Sequence, residues 1–279
     1  MSVELPEAHI LAEQMNTALP SRRVKAVSLS DCEKLQRIGF VNRDLGEFKW
    51  LTGRTVEAAS SRGNTVRVSL DGGVNLLLAP EYGGVVLLHP AGEEVAGKRH
   101  LQVDFVDGSA LTARLTSMGL ILAVKDHDLD GSYMYRRDFL AGVSPLEEGF
   151  TLGAFTELIS GVNRGLKQVL VGREAVLVGL SNSGFQDVIY RARLHPSRKA
   201  SSLSPEEAKR LFDSVRSLVD ERLRLGGKDE WVDLYGRRGG YTPLMGPNMK
   251  DRVCPSCGSG IEKIQHGGGA VYLCPVCQV

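Results

Sequence analysis

Hydrophobic and polar residues alternate through most of the first half of the chain, from about residue 24 to residue 124. Val66, Val68 and Leu70 are separated by polar residues, for example, and the turn residues 71–73 follow them. Alternation of this kind places one side of a segment in a core and the other in solvent, as in a β-strand. Several such segments joined by hairpin turns predict an antiparallel sandwich or barrel.

An amphipathic helix is predicted before this β-rich region. Ile10, Leu11, Met15 and Leu19 recur at helical spacing. Pro6 suits the first turn of a helix, because the amide hydrogen that proline lacks would have no partner there. We expect the apolar face of this helix to pack against the β-rich domain.

The period becomes helical from Phe150 onward, which predicts an all-helical second domain. Ser204-Pro205-Glu206-Glu207 is a strong helix start, with serine as the cap and glutamate at the third helical position. The stop signal for this helix is Gly226-Gly227. The apolar residues of three shorter helices before it are Leu152, Phe155, Leu158 and Ile159, then Leu166, Val169 and Leu170, then Phe185, Val188, Ile189 and Ala192.

The stretch between the two regions is rich in Asp, Gly, Ser and Pro. Asp126, Asp128 and Asp130 resemble the start of a calcium-binding loop, but no glutamate stands at the twelfth position. We therefore interpret the stretch as a solvated linker. The predicted domains are a helix and β-sandwich over 1–125, a linker over 126–149, a helical domain over 150–230, and an extended loop with a cysteine-rich element over 231–279.

Composition narrows the class of protein further. The chain has 279 residues, of which 42% are hydrophobic, enough for about two domains with real cores. No apolar run is long enough for a membrane span, and the N-terminus lacks the pattern of a signal peptide. Only Cys32 lies outside the C-terminal cysteine cluster. We expect an intracellular, cytoplasmic protein with reduced thiols.

Charge is distributed unevenly between the halves. Residues 1–149 have a net charge of −4 and residues 150–279 have +5, although the whole chain is only +1. If the protein binds nucleic acid, we expect the second half to provide the electrostatic attraction. The excess is modest for a dedicated DNA-binding protein.

The last two dozen residues contain four cysteines in two C-x2-C pairs. Cys254 and Cys257 form the first pair, and Cys274 and Cys277 form the second. Four thiolates at this spacing predict one tetrahedral zinc ion, whose filled coordination shell makes it structural. A pair of disulfides or unrelated thiols is the alternative. The residues between the pairs can form a hairpin that turns at 267–269.

A second candidate site is the turn Val178-Gly179-Leu180-Ser181-Asn182, between two predicted helices in the basic half. Small residues and an asparagine at a helix N-terminus leave backbone N–H groups available to a phosphate. Lys167, one helix earlier, could reach the same phosphate backbone. The alternative is an ordinary asparagine cap in a tight turn.

The order of these parts resembles the formamidopyrimidine-DNA glycosylase and endonuclease VIII family of base-excision repair enzymes. The resemblance covers the whole chain and depends on five features: E-L-P-E at 4–7, the V-G-x-x-N turn at 178–182, Leu-His-Pro at 194–196, Leu-Tyr-Gly-Arg at 234–237, and the four cysteines ending in Cys277-Gln278. It implies an α+β multidomain fold with a β-sandwich, a helix–two-turn–helix domain and a C-terminal zinc finger.

The resemblance also implies an activity. Family members bind damaged duplex DNA and flip the damaged base out of the helix. Their N-terminal amine, usually of a proline exposed when Met is removed, attacks the sugar to form a Schiff base, and β-elimination then cuts the strand. An unprotonated terminal amine is a competent nucleophile at neutral pH.

This chain departs from the family at the nucleophile. The position of the proline is occupied by Val3, whose nitrogen is an amide. Removal of Met1 would leave Ser2 as the terminal residue, with its amine one residue too early, roughly 3.8 Å along the chain. Glu4 and Glu7, beside the expected nucleophile position, are retained.

Other functional positions of the family also differ. The β-sandwich lysine is expected near Gly63, and the finger's phosphate-binding arginine at Gly269. The residues that fill the space left by the flipped base are expected near Glu81 and at Ser117 and Met118, of which Met118 alone is a plausible wedge. For DNA binding, the resemblance retains Lys167 and Asn182 as well as this methionine.

Three hypotheses follow. In the first, the protein is a monomeric DNA glycosylase, using either the Ser2 amine or Glu4 as a base that activates water; the alternative role of Glu4 is a helix-dipole or salt-bridge carboxylate. In the second, it is a catalytically silent relative that binds damaged or branched nucleic acid, associated with the nucleoid. In the third, it is a repurposed enzyme. The insertion 240–248 has no assigned role beyond a packed extended loop.

Overall fold

A computed structural model describes residues 3–279 of the chain. The described residues form two compact units. Unit 1 contains the chain up to Leu140 together with Gly226–Gly240, and unit 2 contains Ala141–Leu225 together with Tyr241–Val279. Each unit has its own hydrophobic core.

Unit 1 is built on two four-stranded antiparallel sheets, with strand orders β1-β6-β7-β5 and β2-β3-β4-β8. The strands are β1 (Val24–Leu29), β2 (Val56–Arg62), β3 (Thr65–Leu70), β4 (Val74–Ala79), β5 (Val85–His89), β6 (Leu101–Phe105), β7 (Ala110–Arg114) and β8 (Leu120–Lys125). Register follows the alternation seen in the sequence: Val68 lies opposite Leu76, and Val103 opposite Leu111, all of them buried. The predicted antiparallel sandwich is confirmed.

Helix α1 (Leu5–Ala18) packs against β2 and β3 through its apolar face. Leu11 and Met15 are buried there, and the Asn16 side chain accepts a hydrogen bond from the Ala59 amide at 3.0 Å. Two shorter helical segments of the unit are α2 (Glu33–Arg37) and the 3-10 helix Leu45–Leu51.

The first part of the predicted linker 126–149 is folded in the structure. Residues 126–140 belong to unit 1 and form a 3-10 helix (Asp126–Gly131), a single turn α3 (Tyr133–Tyr135) and a π-helical turn (Arg136–Leu140). Polar composition suggested solvent, but Leu129 and Asp138 are buried. Asp126 accepts hydrogen bonds from Arg67 and Asn75, so its carboxylate is occupied within the protein.

Unit 2 is helical, with the hairpin at its C-terminal end. Its elements are α4 (Leu152–Ser160), α5 (Leu166–Leu170), α6 (Asn182–Ala192), α7 (Pro205–Arg224), β9 (Glu262–His266) and β10 (Gly269–Leu273). The predicted capping box of α7 is present: Ser204 Oγ accepts from the Glu207 amide at 3.2 Å, and Glu207 Oε2 accepts from the Ser204 amide at 2.9 Å. Phe150, Phe155 and Phe212 pack together in the core.

The insertion before the cysteines is divided between the units, so the predicted 231–279 region is not one compact part. Residues 226–240 lie in unit 1, and Tyr241 begins the return to unit 2. Tyr241 is buried, donates to Asp187 at 2.6 Å and accepts from Arg191 at 2.9 Å. The side chain of Met245 is also buried. These contacts attach the insertion to α6.

Candidate nucleic-acid interface

The start of α1 carries the residues predicted to perform chemistry. Ser2, the predicted terminal nucleophile, lies outside the described residues. Val3 is 1% exposed and belongs to the core of unit 1. Its nitrogen is an amide in the chain, so position 3 offers a packed aliphatic side chain where the resemblance predicts a nucleophile.

Glu4 and Glu7 are both fully buried and define the first turn of α1. Glu7 Oε2 accepts a hydrogen bond from the Glu4 amide at 3.1 Å, and Glu7 Oε1 accepts from the Lys228 amide at 3.2 Å. Both oxygens of Glu7 therefore accept backbone N–H groups, which is the pattern of a structural carboxylate at a helix N-terminus.

Lys228 is the partner of Glu4 that sequence reasoning missed. Its Nζ lies 3.7 Å from Glu4 Oε2, and its side chain is only 1% exposed. Gly227 allows this approach, because it has a φ of +90° and a Cβ there would lie 2.6 Å from the Trp231 ring. The only signal in the sequence was a lysine directly after the helix stop at 226–227, separated from Glu4 by most of the chain.

A loop after β4 lies close to this carboxylate. Tyr82 is 39% exposed and has a φ of +40°, which is uncommon for a residue with a side chain. Burial, followed by the negative charges of Glu81 and Glu4, raises the pKa of the Tyr82 hydroxyl. The tyrosine, Glu81 and Glu4 are therefore electrostatic neighbours on unit 1.

Two candidate wedge positions differ in exposure. Glu81 is held inward beside Arg137, and burial raises the pKa of its carboxyl. Met118 is 47% exposed in the turn between β7 and β8. The next residue, Gly119, has a φ of +146°, and a Cβ there would meet the Ala79 carbonyl at 2.5 Å. The tight turn thus leaves the methionine in solvent; its wedge role stays a prediction.

Lys167 and Asn182 both hold the backbone of the finger hairpin. Lys167 Nζ donates to the His266 carbonyl at 2.6 Å, and Asn182 Nδ2 donates to the Ala270 carbonyl at 3.0 Å. Asn182 is the first residue of α6, and Ser181 is the cap. Lys167 is only 6% exposed, and burial lowers the pKa of its ammonium group.

The lysine lies beside the turn that lacks the family's arginine. A Cβ at Gly269 would lie 3.6 Å from Lys167 Nζ, and a Cβ at Gly267 would lie 2.9 Å from Lys167 Cδ. A positive charge is therefore present at the hairpin tip although the expected arginine is not. This charge belongs to Lys167, which lies on α5 and not on the hairpin itself.

The four cysteines are gathered at one point. Their sulfur atoms all lie within 4.8 Å of one another, with Cys257 Sγ 3.4 Å from Cys274 Sγ and Cys254 Sγ 3.9 Å from Cys277 Sγ. Thiolates at about 2.3 Å from a tetrahedral zinc ion lie roughly 3.8 Å apart, so the cluster fits that ion. No disulfide joins any of the four cysteines in this structure.

Side chains around the cluster fix its position in unit 2. The Tyr190 hydroxyl lies 3.4 Å from Cys254 Sγ and 3.0 Å from Ser256 Oγ. Gln278 is buried; its Oε1 accepts from the Cys274 amide and its Nε2 donates to the Leu194 carbonyl. Among residues 3–279, no other group of three or more His, Cys, Asp or Glu side chains is arranged for a metal ion.

Comparison with known proteins agrees with this arrangement. The family model described as the formamidopyrimidine-DNA glycosylase N-terminal domain matches residues 3–116, and the model described as the formamidopyrimidine-DNA glycosylase H2TH domain matches residues 141–231. Curated formamidopyrimidine-DNA glycosylases from Roseiflexus sp. and Pelotomaculum thermopropionicum are 28% and 27% identical. Each alignment covers 99% of this chain and at least 98% of the relative.

Solved structures show the same fold. A Lactococcus lactis Fpg (MutM) in complex with DNA containing N7-benzyl-Fapy-dG has a TM-score of 0.84 at 22% identity, with 99% of each chain covered. MutM (Fpg) from Thermus thermophilus has a TM-score of 0.82 at 24% identity, covering 99% of this chain and 98% of that one.

These matches define a two-unit repair scaffold with a four-cysteine finger. The chain belongs to the formamidopyrimidine-DNA glycosylase and endonuclease VIII family of base-excision repair proteins. None of the helices in residues 3–279 combines the length and hydrophobicity that crossing a bilayer requires.

Proposed function

We propose that the protein binds damaged or abasic duplex DNA and releases a damaged base by hydrolysing the N-glycosidic bond. The observation that carries this proposal is the full-length match to curated formamidopyrimidine-DNA glycosylases, which includes both domain models. Lactococcus lactis Fpg has been solved with DNA that contains an abasic site, and its chain has this fold. We expect the protein to act as a monomer.

DNA binding is assigned to unit 2. Lys167 Nζ has three N–H donors, and the His266 carbonyl accepts one of them, so the others are available to a phosphate oxygen. Asn182 begins α6, whose first backbone N–H groups and dipole favour an anion. Because the lysine expected near Gly63 and the arginine expected at Gly269 are both missing, we expect weaker, salt-sensitive binding.

The cysteine cluster is proposed to hold one structural Zn²⁺. The thiolates of Cys254, Cys257, Cys274 and Cys277 would complete its coordination shell, so the ion would stabilise the finger and take no part in the reaction. The hairpin that Lys167 and Asn182 contact lies directly between the two cysteine pairs. Loss of the ion would therefore disturb the phosphate-binding group as well.

For base release, Glu4 is the proposed general base. Lys228 Nζ lies 3.7 Å from Glu4 Oε2, so a cation faces the carboxylate that would accept a proton from water. The full burial of Glu4 means that substrate and water must reach it through a rearrangement of its surroundings, and catalytic contacts often tighten only in the complex. A Schiff base at Val3 is ruled out chemically, because an amide nitrogen is not nucleophilic.

A second candidate is a catalytically silent relative that binds unusual nucleic-acid structures. The packed Val3 and the full burial of Glu4 favour it, because neither offers an accessible reacting group. In that case Glu4 and Glu7 would serve only to stabilise the start of α1.

Borohydride trapping on abasic-site duplex DNA, beside a binding assay on the same duplex, tests these assignments. We expect retarded complexes without a covalent adduct, and release of a base from at least one lesion in a panel. A trapped adduct that disappears when Ser2 is acetylated would assign the chemistry to the terminal amine. Absence of both binding and base release would contradict the proposed function.

A further inference from the structure

A buried carboxylate connects the π-helical turn of unit 1 to the β2–β3 turn. Asp138 is fully buried, and its Oδ2 accepts from the Asn64 amide at 3.1 Å and from Thr65 Oγ1 at 2.6 Å. Gly63, the preceding residue, has a φ of +57°, and a Cβ there would lie 2.6 Å from the Asp138 carboxyl group. A side chain at position 63 is therefore incompatible with this carboxylate.

The same carboxylate holds a guanidinium group in a fixed orientation. Arg137 Nε donates to Asp138 Oδ1 at 2.6 Å, and Arg137 Nη2 donates to Asp138 Oδ2 at 2.8 Å. This two-point fork fixes the plane of the group, so little entropy remains to be lost when it binds a ligand. The Arg137 side chain is 22% exposed.

One nitrogen of this group remains available. Nη1 of Arg137 makes no hydrogen bond to any of residues 3–279, whereas Nε and Nη2 are both used by Asp138. The N–H groups of Nη1 point away from the fork because the guanidinium is planar. They can donate to an acceptor outside the protein.

The position of the group favours a DNA ligand. Glu81 Oε1 lies 3.7 Å from Arg137 Nη2. The residue after Glu81 is Tyr82, and burial followed by the charges of Glu81 and Glu4 raises the pKa of its hydroxyl. Arg137 therefore lies on unit 1 beside the loop of Glu81 and Tyr82, and the charge of the buried Glu4 acts on that tyrosine. Both residues lie in unusual backbone conformations: Arg137 is in a π-helical turn, and Tyr82 has a positive φ.

Charge selects the ligand class. Asp138 accepts from Nε and Nη2 and Glu81 Oε1 lies 3.7 Å from Nη2, so the Nη1 N–H groups are the part of the guanidinium from which no carboxylate of residues 3–279 accepts. A phosphate diester accepts from a guanidinium better than a neutral base edge does, because both partners are charged. We propose that Arg137 binds a backbone phosphate of the damaged DNA through Nη1, and that Asp138 is the residue that positions it.

This inference rests on the proposed DNA binding and adds a contact from unit 1. It also accounts for Gly63, because the β2–β3 turn can accommodate the buried Asp138 only without a side chain. The positive charge that a lysine at position 63 would have provided is supplied instead from residue 137.

The test is a set of double-mutant cycles between the protein and single phosphates. Wild type, Arg137→Gln and Arg137→Lys are titrated with abasic duplexes in which one phosphate at a time is a neutral methylphosphonate. Arg136→Gln is the matched control, because Arg136 is exposed and donates to the Gly131 carbonyl at 3.1 Å. Circular dichroism melts confirm that each variant is folded at the assay temperature.

We expect Arg137→Gln to bind unmodified duplex about tenfold more weakly and to lower the slope of log K against log salt by about 0.9, as for one lost phosphate contact. One methylphosphonate should weaken wild type by a similar factor and leave Arg137→Gln unchanged. Arg137→Lys keeps a positive charge beside Asp138. It should also lose the coupling between residue 137 and the single phosphate, since lysine is a point charge without the fixed fork of a guanidinium. If Arg137→Gln does not fold, Arg137→Lys provides the test of the phosphate contact.

Two outcomes would overturn the inference, and they differ from each other. If wild type and Arg136→Gln bind but the Arg137 variants keep the same affinity, salt slope and methylphosphonate profile, the inference fails and the proposed function stands. If wild type binds no duplex at all, the proposed function fails and the inference fails with it.

Discussion

The two units differ in what they keep of the family's machinery. In unit 2 the cysteines converge on one point, and Lys167 and Asn182 both contact the hairpin between them. In unit 1 the predicted nucleophile position is a packed valine, and the adjacent Glu4 is paired with a buried lysine. The finger depends on four ligands whose sequence spacing fixes their geometry, whereas a reacting centre depends on one chemically competent atom in the right place.

The largest effect is expected from the metal ligands of unit 2. Cys274→Ser removes one of the four ligands and should reduce bound zinc from one ion per chain to near zero. Structural zinc contributes on the order of 10 kcal/mol to the folding of finger domains. The hairpin amides of residues 262–273 should then exchange with deuterium much faster. Zinc analysis and hydrogen-exchange mass spectrometry check this. Cys32→Ser, outside the cluster, is the control and should retain the ion; zinc retained by Cys274→Ser would contradict a four-cysteine site.

A smaller but still large effect is expected at the buried pair of unit 1. Lys228→Met should lower the free energy of unfolding by about 3 kcal/mol, because it leaves the Glu4 carboxylate buried without its cation. Urea denaturation measures this. Glu4→Gln combined with Lys228→Met should cost less than the sum of the single changes. Additive losses would show that the two side chains are not coupled.

Lys167 and Asn182, the proposed phosphate-binding residues of unit 2, should show a moderate effect. Lys167→Met should weaken binding to abasic duplex by about tenfold and lower the salt slope by about one, because a cation is lost. Asn182→Ala should weaken binding with little change in slope, since the amide is neutral. Fluorescence anisotropy at several salt concentrations measures both values. Lys199→Met, an exposed lysine of the same unit, is the control; equal losses for both lysines would indicate non-specific attraction.

The smallest effect concerns acid stability at the start of α7. Hydrogen bonds from Arg198 and then from the Ser204 amide lower the pKa of the Glu207 carboxyl from its ordinary value of 4.5. A depressed folded-state pKa adds stability above pH 4.5 that is lost as the pH falls below it. Glu207→Gln should therefore cost about 1 kcal/mol near pH 7 and progressively less below pH 4.5. A pH-independent difference in urea denaturation would contradict this.

Much of the fold could be predicted from the sequence because its signals are local. The alternation around Val68, the capping box at Ser204 and the spacing of the cysteines each depend on residues a few positions apart. The Glu4–Lys228 pair and the hydrogen bond from Thr65 to Asp138 join distant segments of the chain, and no local period in the sequence predicts them. The burial of Asp138 in the polar 126–140 segment has the same cause, since its carboxylate accepts hydrogen bonds from Asn64 and Thr65, which are far away in the sequence.

Single-turnover base release tests the central claim most directly. Wild type and Glu4→Gln are incubated with duplexes that each carry one oxidised, ring-opened or alkylated base, and free base is separated from strand cleavage. Hydrolysis with Glu4 as general base predicts release of at least one base by wild type and a loss of at least about 100-fold in Glu4→Gln. Tight binding of these duplexes by wild type without release of any base would contradict the account and identify a silent relative.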